Sequence, residues 1–223
     1  AETKKITQIP VAVITNGSLL YRPEIRQELL LADAVMPTLD AGDAETYKKI
    51  NRPLGEFTFK RLVDGLVAFR AEYTGQLWVE IMLIKGINDT LPALGLLAEK
   101  LQQIQPDQVH VNLPTRPPAE PWVQPPDDEG ILRAKAVLGE IATIVTPIDG
   151  EFDLSGYENL SDAIVGIVTR HPMREDQLTE TLTRWSPAEV DKTIATLAAD
   201  GRIQTIERYG VRFWSVAQAH YEQ

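Results

Sequence analysis

With 223 residues, 43% of them hydrophobic and 24% charged, the chain has the ordinary composition of a folded globular protein of one large or two modest domains. Its formal net charge of -10 gives nonspecific nucleic-acid binding little electrostatic support, and the absence of cysteine removes disulfides, thiolate nucleophiles and thiolate metal sites together. No run approaches the roughly 18 apolar residues that span a bilayer, and the opening Ala-Glu-Thr-Lys-Lys leads into no signal-like apolar block. A cytoplasmic protein that engages no membrane is expected.

From Val11 to about Pro147, short apolar runs alternate with amphipathic stretches, the pattern of βα units around a parallel sheet. The first strand is expected at Val11–Ile14, closing in Thr15-Asn16-Gly17, with its helix over Glu24–Ala32. The second is expected at Ala34–Leu39, with a turn at Asp40–Asp43 and helices over Ala44–Ile50 and Phe59–Tyr73. The third covers Leu77–Ile84 with a helix from about Leu91 to Gln103. The fourth covers Gln108–Leu113, followed by a proline-rich loop and a helix near Glu129–Glu140, and Ala142–Thr146 is a candidate fifth strand. Four or five parallel strands are too few to close a barrel. Partner strands are therefore expected from an upstream segment or from a second copy, unless the fragment closes in a smaller arrangement of its own.

The acidic, glycine-bounded stretch 149–156 reads as a linker between a barrel fragment at 1–148 and a second domain at 157–223. The second domain shows helices at Leu160–Arg170, Arg174–Leu182 and Pro187–Ala199, the last capped by Ser186. Alternating strands at Arg202–Glu207 and Val211–Val216 flank Arg208-Tyr209-Gly210. Three helices and a hairpin are the order of a winged helix. Such modules often read DNA with the third helix, but here that helix carries Glu189 and Asp191 against one lysine, Lys192, so DNA is not the expected partner. Trp185, Phe213 and Trp214 are expected to be packing anchors.

In a parallel α/β barrel, ligands gather at the carboxyl ends of the strands. Thr15, Asn16 and Gly17 offer a hydroxyl, an amide and a residue tolerant of positive φ, and the same tripeptide is an ordinary strand-to-helix turn. Alternation places Met36, Thr38 and Asp40 on one face, Glu80 with Trp78 and Met82, and His110 with Asn112. A carboxylate in mid-strand is costly unless paired or wet, so Glu80 should face a polar lumen. Asp40 could meet ligand hydroxyls or close an Asx turn. Arg116, between prolines just past a strand end, could clamp a carboxylate or phosphate or lie on the surface.

The segments Pro-Val-Ala-Val-Ile-Thr-Asn-Gly-Ser-Leu-Leu, Ala-Asp-Ala-Val-Met-Pro-Thr-Leu-Asp-Ala-Gly, Tyr-Lys-Lys-Ile-Asn-Arg-Pro, Val-Glu-Ile-Met-Leu-Ile-Lys-Gly-Ile-Asn-Asp-Thr and Val-Asn-Leu-Pro-Thr-Arg-Pro-Pro-Ala-Glu-Pro-Trp, in this order over about residues 9–125, resemble radical S-adenosylmethionine proteins. More narrowly, they are similar to a group of iron-sulfur oxidoreductases related to pyruvate formate-lyase activating enzymes. The resemblance implies a partial (β/α)6 barrel lacking its first two strands, S-adenosylmethionine as cofactor and a 4Fe-4S cluster in the complete protein. In that family a three-cysteine cluster loop and a glycine-rich motif lie upstream of the strand matching Val11, and this sequence contains neither.

By motif position the resemblance implies a lateral cofactor wall of Thr15, Asn16, Gly17, Thr38, Asp40, Glu80, Asn112 and Arg116. It implies that a complete enzyme abstracts hydrogen with a 5'-deoxyadenosyl radical while this chain alone is inactive, the winged helix presenting a protein or peptide substrate. Two other readings fit the same residues. One is a transcriptional regulator, an α/β sensing module joined to a DNA-binding winged helix. The other is an aldolase or isomerase using Glu80 and His110, with Lys85 the strand-end candidate for a Schiff base.

Overall fold

The computed structural model describes residues 2–145, 154 and 156–219, and these form two compact units, one of 1–113 with 125–146 and one of 114–124 with 147–223. The linker expected at 149–156 lies outside the described residues except for Leu154 and Gly156, as does Thr146 at the end of the expected fifth strand. The segment 114–124, which the sequence places within 1–148, groups with the second unit.

The first unit is built on five strands, β1 (Ala12–Thr15), β2 (Ala34–Pro37), β3 (Gln76–Met82), β4 (Gln108–Asn112) and β5 (Ala142–Val145), all parallel and in chain order across the sheet. Each connection carries helix, as parallel pairing demands. After the short α1 (Thr3–Ile6) come α2 (Pro23–Leu29), α3 (Ala44–Asn51), α4 (Phe59–Glu72), α5 (Leu91–Ile104) and α6 (Asp128–Leu138). Their starts follow capping chemistry: Asp43 accepts from the amides of Glu45 and Thr46, Thr58 from Arg61, Thr90 from Ala93 and Asp127 from Gly130. Asp43 is thus a helix cap where the sequence suggested only a turn.

Sequential strands lying side by side, each followed by helix, form the layered arrangement of a partial barrel. The sheet is open among the described residues, with β1 and β5 at its edges. One sheet face is the core: Val35, Leu77, Val79, Ile81, Val109 and Val111 are fully buried and pack with Leu62, Leu66, Phe69, Leu94, Leu97 and Leu101 of α4 and α5. Gly42 makes this packing possible after β2. A Cβ there would lie 2.3 Å from the Leu96 carbonyl carbon and 2.4 Å from the Leu97 nitrogen, so only glycine lets the loop cross the α5 backbone.

The second unit contains α7 (Leu160–Arg170), β6 (Met173–Arg174), α8 (Glu175–Thr181), α9 (Pro187–Ala199), β7 (Ile203–Arg208) and β8 (Val211–Val216). The expected three helices and hairpin are present, and β6 adds a third strand in the order β6-β8-β7, antiparallel throughout. Ser186 caps α9 by accepting from Glu189. A separate core of Ile164, Ile167, Leu178, Val190, Leu197 and Trp214, with Trp185 packed at its margin, holds the unit together. Phe213 is also buried. No helix among the described residues is long and apolar enough to cross a membrane.

Candidate functional site

The side chains that alternate with the core residues point to the other face of the parallel sheet. Trp78, Glu80 and Met82 on β3 and His110 and Asn112 on β4 are only partly buried, and Ile14 on β1 is 69% exposed. The pairing register puts these groups in rows across the sheet: Ile14 beside Met36, Thr38 beside Glu80, Glu80 beside His110, and Met82 beside Asn112. Parallel strands in register bring side chains of one face within contact range of their neighbours.

Glu80 is the hub of this face. Thr38 Oγ1 donates to its Oε2 at 3.3 Å, and Asn112 Nδ2 donates to its Oε1. The mid-strand carboxylate is therefore hydrogen-bonded from both neighbouring strands while remaining partly open to solvent, which answers the desolvation cost of its position. The three residues form a short polar row from the residue just past β2 across β3 and β4, and such a row can accept amino or hydroxyl groups from a ligand while presenting one negative charge. Toward the amino end of the strands the surface turns aromatic. Trp78 and His110 stack with centroids 5.6 Å apart and planes 16° from parallel, His110 Nε2 lies 3.1 Å from Gln108 Oε1, and the buried indole N–H of Trp78 has no hydrogen-bond partner. His110 is beside Glu80 in register but outside the hydrogen-bonded row.

Asp40 stands apart from the expected wall. It is buried, Oδ1 accepts from the Met82 amide at 2.8 Å, and Oδ2 accepts from Asn51 Nδ2 at 2.8 Å. Burial pushes its carboxyl above the ordinary carboxylate range, against the pull of these two hydrogen bonds, and the charge of Glu80 adds to the rise. Asn88, fully buried, completes the corner: Nδ2 donates to the carbonyls of Asp40 and Met82, and Oδ1 accepts from the Ile84 amide. Asp40 thus ties the end of β2 to the end of β3 and closes no Asx turn with Gly42 and Asp43. Strand alternation does not single out Asn51 or Asn88 as site-building residues, although both lie in segments that carry the family resemblance. The available signal for Asn88 is an asparagine soon after a strand end.

At the end of β1 the side chains close the turn. Thr15 Oγ1 accepts from the Gly17 amide at 3.2 Å, Asn16 Oδ1 accepts from Ser18 at 3.0 Å, and Gly17 has φ +71°. Asn16 is exposed. Arg116 belongs to the second unit, where Nη1 lies 2.9 Å from His171 Nδ1. Lys85 forms an ion pair with Asp127 at 3.0 Å. Of the eight sequence-derived positions, the structure therefore joins Thr38, Glu80 and Asn112 through Glu80, sets Asp40 apart as a tie, closes Thr15, Asn16 and Gly17 into the turn after β1, and engages Arg116 in another contact. No group of three or more acidic, histidine or cysteine side chains among the described residues could hold a metal ion.

No family model matches the chain. It is 32% identical over 212 residues to the UPF0026 protein MJ1312 of Methanocaldococcus jannaschii, covering 92% of this chain and 65% of that protein. It is 42% identical over 134 residues to the GTPase Obg of Brachyspira hyodysenteriae, covering 60% of this chain and 20% of that protein, and 35% identical over 114 residues to the UPF0026 protein slr1464 of Synechocystis, covering 51% and 42%. The chain spans between a fifth and just under two thirds of the length of these curated relatives. Among solved structures, a domain of a pyruvate-formate lyase-activating enzyme from Bacteroides vulgatus aligns at 21% identity and TM-score 0.49, covering 62% of this chain and 82% of that one. A radical SAM methyltransferase from Sphaerobacter thermophilus aligns at 24% identity and TM-score 0.47, covering 60% and 39%.

Proposed function

We propose that this chain is a portion of a radical S-adenosylmethionine iron-sulfur protein, contributing a lateral wall that binds and orients S-adenosylmethionine. The observation that carries the reading is the Thr38–Glu80–Asn112 row, in which Thr38 and Asn112 both donate to Glu80 on the face that carries no part of the core. Support comes also from the order of family-like segments over about residues 9–125 and from the 32% identity to a UPF0026 protein over most of the chain.

The residues present fit one cofactor and not the other. The row can take the amino or ribose hydroxyl groups of S-adenosylmethionine, with the Glu80 carboxylate facing a cationic ligand. The 4Fe-4S cluster has no thiolate ligand within these 223 residues. Reductive chemistry therefore depends on ligands this chain does not contain, and the expected role of its own residues is to bind and orient.

An NMR titration of S-adenosylmethionine into the chain tests the reading, because it registers weak as well as tight binding. Shifts should centre on Thr38, Glu80 and Asn112, and Glu80→Gln should weaken the apparent affinity about tenfold, the scale of losing one charge-assisted contact. Shifts that spare the open face, or none at all, refute the cofactor wall. We read the second unit as a winged helix that contacts a protein or peptide substrate. Its basis is the order helix, strand, two helices and hairpin, with an acidic α9 that argues against a DNA-reading role. A gel shift with a steep salt slope would revive the regulator reading.

A further inference from the structure

The chain leaves the first unit after Leu113 and rejoins it at Pro125, and the residues between belong to the second unit. Pro114, Pro117, Pro118 and Pro121 leave this segment with few amides to give to regular structure. Side-chain contacts within the second unit hold it, including two from its body. Arg116 Nη1 lies 2.9 Å from His171 Nδ1, a donation that requires a neutral imidazole carrying its proton on Nε2. The Tyr209 hydroxyl donates to the Val123 carbonyl at 3.2 Å.

Tyr209 is an unusual residue for its place. It sits at φ +56° at the tip of the β7–β8 hairpin, followed by Gly210 at φ +71°. Consecutive positive φ values close a two-residue hairpin, and asparagine or aspartate with glycine is the usual choice. A bulky aromatic there carries a conformational cost. What tyrosine adds over those residues is reach, and its hydroxyl reaches the segment.

We infer that the body of the second unit acts as a clasp on segment 114–124, with Tyr209 and His171 as positioning residues that fix the course of this segment and of Arg116 within it. The clasp stands on its own contacts; its relevance to cofactor binding rests on the function proposed above. It is also sensitive to pH. Among the described residues, Arg116 and Arg170 are the charged groups that act on His171, and burial together with these two guanidinium groups lowers its pKa. The neutral acceptor thus prevails at neutral pH. As pH falls from the ordinary histidine range through the lowered value, protonation removes the acceptor and sets a cation against Arg116.

Amide hydrogen exchange of the 223-residue chain, read by mass spectrometry and corrected for intrinsic rates, tests the clasp. Tyr209→Phe and His171→Ala should each speed exchange at the amides of 115–124 by roughly threefold or more, the scale of one lost hydrogen bond, while α7 and α9 keep their protection. His171→Gln, which retains an acceptor, should hold the segment. Lowering the pH should loosen the segment in the parent chain and leave His171→Gln unmoved. Unchanged exchange in 115–124 for both disruptive variants overturns the inference, and so does an equal loosening of α7 and α9, which would make these residues part of the unit's stability alone. The two proposals separate cleanly: a working clasp with no S-adenosylmethionine shifts removes the function and keeps the clasp, and the reverse result removes the clasp alone.

Discussion

The two faces of the parallel sheet are made by alternate residues of the same strands, yet they differ completely in what they touch. On β3, Leu77, Val79 and Ile81 are fully enclosed under the helices, while Trp78, Glu80 and Met82 between them are partly open and polar in their centre. One face is close-packed, where each methylene counts. The other tolerates a carboxylate at mid-strand because its neighbours and solvent satisfy it. The packed core and the open polar face are thus separated by one residue of register, and substitutions at adjacent positions should report on different properties.

The sharpest attempt to break this separation is a pair of truncations on neighbouring residues of β3. Ile81→Ala should cost about 2–5 kcal/mol, the range for an enclosed aliphatic cut back to alanine, whereas Met82→Ala, on the open face, should cost about 1 kcal/mol or less. Urea denaturation of both variants decides it, and equal losses would mean that the open face is also core. Asp40→Ala comes next, at about 1–3 kcal/mol, because it leaves the Met82 amide without its acceptor.

The pH dependence of the same residue sharpens the contrast. Asp40 holds its proton to higher pH in the native chain than in the unfolded one, so over the interval above the ordinary carboxylate range the native state binds more protons and stability falls as pH rises. Once pH has passed the raised native value the loss is complete. Asp40→Asn should flatten that part of the stability profile, measured as urea midpoints across a pH series. The smallest expected effect on stability is Glu80→Gln, within about 0.5–1 kcal/mol, because the amide can still accept from Thr38 or Asn112. Its consequence should appear in ligand binding instead.

Much of the open face is legible in the sequence, and the reason is periodicity. The alternation Leu77-Trp78-Val79-Glu80-Ile81-Met82 is enough by itself to assign each residue to its face, and the same rule finds Asn112. It fails for Asp40, which lies past the end of β2. Leu39, Asp40, Ala41 and Gly42 are buried in succession, and where the chain is enclosed on every side a period of two carries no information. The two-residue β6 is too short to show any period at all. Arg116 reads as a strand-end clamp or a surface arginine, and its contact, with His171, lies 55 positions away. No local pattern encodes so distant a partner.

Gly42 carries a consequence beyond packing. Because the loop after β2 lies against the backbone of α5, and Asp40 in that loop holds the Met82 amide at the end of β3, the corner is tied both to the sheet and to a helix. Thr38 and Glu80 are mounted on that corner's two strands. If the proposed ligand binds there, it meets side chains whose relative placement is fixed by that corner, and little ordering entropy is left to be lost. The absent methyl group of one glycine is in that sense part of what holds the polar row in place.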